Sequence, residues 1–408
     1  MVNHWKTIGL IVCVTLIFSL FYVQMSREVE TYPTFTLETI EGNLDVVHPI
    51  TLYGDFHTGE HTHLFSYNLQ ETMYVQQMPS LERLSGFYTY AEIERLEQLY
   101  PAYMRGKVDD LSMYTESDLY VVQADMDWGT YKDDEPVNMA FNLSVLHKEL
   151  QKEARMTIEI PKRDQSSFIS LEKMYAVGED LHIVTSHSRD SKNGMTVFDI
   201  RVYTIQLDRG KIGSTDVIYT WEQEDFTEHI QVTPIENPHS ILADQRMLLL
   251  KAIVGGDTDI ENDLQIHKNQ TDKVSYELIA YDFRTKSLET FKIPSQVKNG
   301  AEFISYEDNS DVFLIQENKE KLEVIEWQLG SDEQPGPLIV PTSNPIHSYT
   351  TSFQGEYLYI YVNSNASNKN IGELHVLYVP TGEWVYAGEL MSNRPLKDEE
   401  DVLIHSIE

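Results

Sequence analysis

Five stretches of this chain are apolar on both sides of an extended backbone, and that pattern limits its architecture more than any other feature. In EYLYIYVN (356–363), Tyr357, Tyr359 and Tyr361 fall on one side of a strand and Leu358, Ile360 and Val362 on the other. Successive side chains of a strand point to opposite faces, so such a segment has no face to give to water and belongs inside stacked sheets. QRMLLLKAIV (245–254), DVFLIQE (311–317), DLHIVTSH (180–187) and DLYVVQAD (118–125) read the same way.

Each such run leads to a second strand and a turn. DLHIVTSH is followed by FDIRVYTIQLDRGKI (198–212), and QRMLLLKAIV by VSYELIAYDFRTKSLETFKI (274–293). DVFLIQE leads to KLEVIEWQLGSDEQPG (321–336), and EYLYIYVN to GELHVLYVPTGEWVYAGEL (372–390). The segments Asp208-Arg209-Gly210, Asp282 to Lys286 and Pro380-Thr381-Gly382 carry residues that start tight hairpins. The strand positions Tyr281, Trp327 and Tyr378 are 46 and 51 residues apart, and Tyr203 precedes Tyr281 by 78, a spacing lengthened by the polar insertion 255–273. Strand, hairpin, strand and turn at a period of about 40–60 residues resembles the blades of a β-propeller, in particular the degenerate kind with a YD-x-x-T-G-like turn between the third and fourth strands. The resemblance covers residues 35–395, without a WD series, a kelch double glycine or a tryptophan-docking repeat. It implies an all-β β-propeller of six to eight four-stranded blades. These lie near 40–80, 117–160, 170–212, 240–293, 302–340 and 345–390, and a further blade would form where the N-terminal strand closes against the C-terminus. Two packed β-sandwiches are the alternative.

One segment breaks the rhythm. Thr89 and Glu92 have the spacing of a capping box, Ile93, Leu96, Leu99 and Tyr100 follow at helical spacing, and Pro101 marks the end. The spacing predicts a short amphipathic helix over 90–100, in an insertion near 89–104, with its apolar stripe docked on a propeller face.

Residues 7–25 (TIGLIVCVTLIFSLFYVQM) are uncharged and mostly aliphatic. Nineteen residues at 1.5 Å each span roughly 28 Å, enough to cross a hydrocarbon core. Trp5 and Tyr22 sit at interfacial positions, and Lys6 on one side with Glu28 and Glu30 on the other favours an N-terminus inside. No small-x-small cleavage site follows, and Cys13 lacks the small preceding residue of a lipidation site. The expectation is an uncleaved signal-anchor (1–30), with one extracytoplasmic domain over 31–408. No apolar run of that length occurs later, which excludes a multi-pass membrane protein.

The formal charge is −34, from 31 Lys and Arg against 65 Asp and Glu. Lys6 and Arg27 cancel Glu28 and Glu30, so residues 31–408 carry the whole excess. Such a surface repels nucleic-acid phosphate, and no nucleic-acid partner is expected. A single cysteine permits neither an internal disulfide nor a cysteine-based zinc site, and a cysteine-free acidic domain suits a bacterial cell exterior.

The densest polar constellation is Asp55 to His63. His61 and His63 share a strand face, and a turn at Thr58-Gly59 would fold His57 back beside them, so His57, His61 and His63 are candidate metal ligands, although the spacing matches no established zinc motif. Asp257 to Asp263 resembles the front half of a calcium loop, but Asn262 stands where glycine is needed and Lys268 where a bidentate Glu belongs. Asp125, Asp127, Asp133, Asp134 and Glu135 form another acidic loop around Trp128. There is no G-x-S-x-G, no P-loop and no dinucleotide fingerprint, so the catalytic residues stay unassigned and no cofactor is expected. The reading is therefore a membrane-anchored extracytoplasmic β-propeller acting as a protein- or ligand-binding scaffold at the bacterial cell surface, partnered by a membrane or envelope protein. The alternative is an extracytoplasmic hydrolase or lyase with its site at the propeller's central channel.

Overall fold

The fold is that of a computed structural model, described for residues 12–17, 32–59, 61–78, 90–132, 135–161, 168–190, 195–223, 228–235, 245–255, 273–294, 297, 300–306, 311–318, 321–331, 336–364 and 369–408. The chain opens with strands β1 (Phe35–Gly42), β2 (Leu52–Thr58), β3 (His61–Tyr67) and β4 (Thr72–Tyr74), then helices α1 (Ala91–Leu99) and α2 (Pro101–Met104). There follow β5 (Tyr114–Glu116), β6 (Tyr120–Asp127), β7 (Thr130–Lys132), β8 (Glu135–Val137), β9 (Ala140–His147) and β10 (Lys152–Glu159). Next come β11 (Phe168–Val177), β12 (Asp180–Asp190), β13 (Thr196–Gln206), β14 (Lys211–Gln223), β15 (Glu228–Ile235), β16 (Arg246–Gly255), β17 (Lys273–Asp282) and β18 (Leu288–Lys292). The remainder is β19 (Glu302–Tyr306), β20 (Asp311–Asn318), β21 (Lys321–Gln328), β22 (Leu338–Ile339), β23 (Ile346–Gln354), β24 (Tyr357–Ser364), β25 (Asn370–Tyr378), β26 (Glu383–Ser392) and β27 (Glu400–Ile407). These elements fall into two compact units, residues 89–340 and residues 1–88 with 341–408.

The 89–340 unit is built from four antiparallel sheets of four strands: β5-β6-β9-β10, β11-β12-β13-β14, β15-β16-β17-β18 and β19-β20-β21-β22. The small β7–β8 ribbon projects from the first. Alternation decides which face meets which neighbour. Val122, Ala124, Leu143 and Val145 of the first sheet pack with Ile183 and Tyr203 of the second. The other face of the second offers Val184, Ile200 and Val202 to Met247, Leu249 and Tyr281 of the third. Leu248, Leu278 and Ala280 then meet Val312, Leu314 and Trp327 of the fourth. The first strands of successive sheets lie side by side, β5 with β11, β11 with β15 and β15 with β19. Helix α1 lays Ile93 and Leu96 on the remaining face of the first sheet, over Val121 and Leu146, and Tyr103 and Met104 of α2 join the same cluster. The expected helix over 90–100 thus appears one residue shorter at each end. Its N-cap is Tyr90, with no side-chain capping bond, and Thr89 lies outside the described residues.

The other unit pairs two sheets. One is β23-β24-β25-β26 with β1 added as a fifth, outer strand, and the other is β27-β2-β3-β4. The segments at the two ends are thus exchanged: β1 runs antiparallel to β26, and β27 to β2. Phe56, Phe65, Tyr74, Tyr359, Tyr361 and Tyr386 are among the large side chains of the shared core.

The chain is all-β apart from short helices, with six sheets of four or five strands among the described residues. The further sheet expected from the N-terminal strand is absent there because β1 and β27 are absorbed into sheets that already exist. The expected hairpin turns form where glycine or a residue in the left-handed region closes them. Gly210 and Gly382 have φ of 58° and 67°, and Lys286 takes φ 57° after Asp282 accepts the amides of Arg284 and Thr285 at 3.0 and 2.7 Å. Of the expected span 7–25, only 12–17 are described, and they are helical. No described helix is long and apolar enough to cross a membrane.

Candidate functional site

The face of the first sheet that carries the helices is covered only at one end, and this sets up a cleft. Cross-strand register places Val121 opposite Leu146, then Gln123, Ser144 and Arg155 in one rung and Asp125, Asn142 and Thr157 in the next. The apolar rung lies under α1 and α2. The two polar rungs continue beyond the helices and floor an open cleft of about 460 Å³, walled by Arg105, Gly106, Lys107 and Val108. Gly106, at φ 76°, turns the chain back over the sheet after α2, a conformation that favours glycine.

Lys107 is the centre of the polar network. Its side chain is 6% exposed. Its Nζ donates to Ser144 Oγ at 2.5 Å, Gln123 Oε1 at 3.2 Å and Glu153 Oε1 at 3.4 Å, and lies 4.0 Å from the centre of the Tyr103 ring. Ser144 Oγ donates to Glu153 Oε1 at 2.7 Å, Arg155 Nε to the same oxygen at 2.8 Å, and Tyr103 OH to the Ser144 carbonyl at 2.8 Å. Burial lowers the Lys107 ammonium below its ordinary value, and the Arg155 charge adds to this, against the opposing pull of Glu153. Burial acts to raise Glu153, but hydrogen bonds from Ser144 and Arg155 and the Lys107 charge bring it down to about 2. On the second rung Thr157 Oγ1 donates to Asn142 Oδ1 at 2.8 Å. Arg105 is exposed and makes no hydrogen bond or ion pair with another described residue. Rungs on paired strands hold these groups rigidly, as a preformed binding site requires.

Other buried polar groups act as internal fasteners. Glu116 takes Arg95 of α1 on one carboxylate oxygen and Lys148 Nζ on the other at 2.5 Å, pinning the helix to the sheet. Asp199 receives Arg201 Nη2 and Thr220 Oγ1, both at 2.7 Å, beside the pair of Thr185 Oγ1 and His187 Nε2 at 2.8 Å. In the other unit, Glu373 accepts the amides of Ser343 and Asn344 at 3.0 and 3.1 Å and the Asn344 side chain at 2.8 Å, with His375 Nε2 at 3.3 Å. Burial alone would raise the Glu373 carboxyl; these hydrogen bonds hold it below its usual range.

The structure places the expected metal ligands on the β2–β3 hairpin but does not gather all three. His57 is opposite Thr62, and Thr58 is opposite His61. Opposite residues share a face, so His57 points away from His61 and His63. His57 Nδ1 bonds Thr62 Oγ1 at 3.0 Å, while His63 Nδ1 meets Tyr32 OH and Gln76 Nε2 at 3.1 Å and its Nε2 meets Thr58 Oγ1 at 3.3 Å. Among the described residues no three His, Cys, Asp or Glu side chains come together as a metal site. Asp257 to Asp263, Asp133 and Asp134 lie outside the described residues. Of the cleft residues only Asp125 was named in the sequence, as part of an acidic loop around Trp128; the structure places it and Asp127 on strand β6 instead. The available signal was polar alternation, Gln123-x-Asp125, Asn142-x-Ser144 and Glu153-x-Arg155-x-Thr157, in the neighbouring strands β6, β9 and β10.

No family model matches the chain, and no curated protein matches it. Among solved structures it is similar to a 6-phosphogluconolactonase-type protein from Bacteroides fragilis, 14% identical over 87% of this chain and 80% of that one, with a TM-score of 0.31. TolB from Acinetobacter baumannii is 12% identical over 92% and 84%, with a TM-score of 0.25. A chain of the nidogen–laminin complex is 6% identical over 88% and 97%, with a TM-score of 0.29.

Proposed function

We propose that this chain is a membrane-anchored extracytoplasmic β-propeller that serves as a binding module at the bacterial cell surface, with the Lys107 cleft as its ligand site. Four-stranded meanders whose first strands lie side by side support the propeller reading, because blades meet around an axis in that way. The uncharged run 7–25 supports the anchor, which would hold the module near a membrane or envelope partner. The observation that carries the binding role is the cleft itself, two polar rungs left open where the docked helices end. A screen of polar metabolites by thermal shift on the full chain in detergent tests it. A cleft ligand at 100 times its Kd stabilises the fold by about 2.7 kcal/mol, and Asn142→Trp, which fills the floor, abolishes that stabilisation. An equal shift in the filled variant, or no stabilising ligand in the screen, removes the cleft from the function.

A hydrolase is favoured by one observation, the 2.5 Å approach of Lys107 Nζ to Ser144 Oγ, the contact that a Ser–Lys nucleophile uses. Glu153 weighs against it. It accepts a hydrogen bond from Ser144 as a weak base, its pKa brought down to about 2, and Lys107 Nζ donates to both Ser144 and Glu153, so neither group is set to take the Ser144 proton.

A further inference from the structure

We infer that the cleft binds a hydroxyl-rich carboxylate, an acidic saccharide, with Arg105 as the residue that reads the carboxylate; this rests on the cleft being the binding site. The charge balance points there first. The chain as a whole carries −34, yet the cleft and its support hold three cations, Arg105, Lys107 and Arg155, against two carboxylates, Asp125 and Glu153. Glu153 is engaged by both Lys107 and Arg155, which leaves Arg105 as the cation without a partner among the described residues. A guanidinium is planar, always charged and shaped to grip a carboxylate through two parallel hydrogen bonds.

The neutral groups select for hydroxyls. Lys107 has only donors, so it must face Gln123 Oε1, and the Gln123 amide nitrogen is left with its own N–H groups to give. Asn142 likewise spends its oxygen on Thr157, freeing its Nδ2. Asp125 on the floor supplies the complementary acceptor: its Oδ1 takes the Met126 amide at 2.7 Å, and its other oxygen can accept a hydroxyl hydrogen bond. Donors and acceptors alternating on a flat strand floor match the hydroxyls of a sugar ring. The local excess is one positive charge, which one carboxylate neutralises; a phosphate dianion would leave a negative charge beside Asp125. The volume of about 460 Å³ falls in the range of small-molecule sites.

Isothermal titration of the full chain in detergent with galacturonate, which carries a single carboxylate, its methyl ester and galactose 6-phosphate decides the matter. The acid is expected to bind, the uncharged ester at least about tenfold more weakly, and the phosphate more weakly than the acid. Arg105→Ala should weaken the acid by about tenfold or more, leave the ester unchanged and leave the melting temperature unchanged, because among the described residues the side chain makes no hydrogen bond or ion pair. Arg105→Lys should recover only part of the loss. Equal affinity for acid and ester overturns the inference, and if Asn142→Trp abolishes both, the binding-cleft reading survives it. Tighter binding of the phosphate, no effect of Arg105→Ala, or no binding of the acid at millimolar concentration also overturns it.

Discussion

His182 shows how burial can dominate a pH response in this fold. Its ring stacks on Phe283 with centroids 4.5 Å apart, and Nδ1 meets Thr204 Oγ1 at 3.1 Å. Burial lowers its pKa to about 4, the Lys286 charge adds to the effect, and Asp216 opposes it. The folded state therefore keeps the ring neutral while the unfolded chain takes up a proton near the ordinary histidine value of about 6.5. Stability from this group is complete above pH 6.5 and is lost as the pH falls from there to 4, to a total of about 3 kcal/mol. Urea unfolding of the full chain between pH 7 and 4.5, compared with His182→Gln, isolates the contribution. The variant is expected to show a shallower loss of stability on acidification, and parallel pH profiles would show that the buried ring is not its source. Lys107 is the contrasting case: it is similarly enclosed, but Glu153 and Ser144 give its charge a place to rest.

At the scale of elements, the α1 insertion makes its apolar contact with the sheet through one narrow stripe, beside the Arg95–Glu116 pair. Leu96 is fully buried under the first sheet of its unit, whereas Leu99, which the helical spacing also assigns to the stripe, is 54% exposed. Leu96→Ala should cost about 2–5 kcal/mol, the transfer and cavity terms together, and Leu99→Ala should stay within about 0.5 kcal/mol. Denaturant titration of both variants checks this, and equal effects would mean that the helix is not seated as described. Local elements were legible in the sequence because local chemistry makes them: alternation placed β6, β12, β16, β20 and β24, and glycine or aspartate placed the turns at 210, 282 and 382. Closure of the N-terminal strand against the C-terminus was expected, but its form, β1 and β27 each extending an existing sheet with no further blade, was not legible, since partners more than 300 residues apart leave no periodic trace. The histidine cluster failed on parity: in a two-stranded hairpin the register decides which residues share a face, and the pairing of His57 with Thr62 sends it away from His61. The cleft was hidden for a different reason. Its residues come from the segment after α2 and from three strands, and only the docking of a short helix pair decides which part of the sheet face stays open.

For the whole molecule, the net charge shapes how a small anion reaches the cleft. A body of −34 repels an approaching carboxylate over a distance set by the screening length, about 30 Å at 0.01 M salt and about 8 Å at 0.15 M. The attraction by Arg105 acts at contact, at roughly 3–4 Å, where salt screens far less. Raising salt across this range should therefore remove the repulsion faster than the attraction. A basic protein binding an anion loses affinity under the same change. For this chain the affinity for galacturonate is expected to rise, by roughly 1 kcal/mol or about fivefold, between 0.01 and 0.15 M salt. Titrations at fixed pH in sodium chloride measure it directly, and the methyl ester, which feels neither force, should stay flat. A steady fall in the affinity of the acid with salt would mean that the carboxylate meets a field dominated by local cations, with the acidic body too distant to matter.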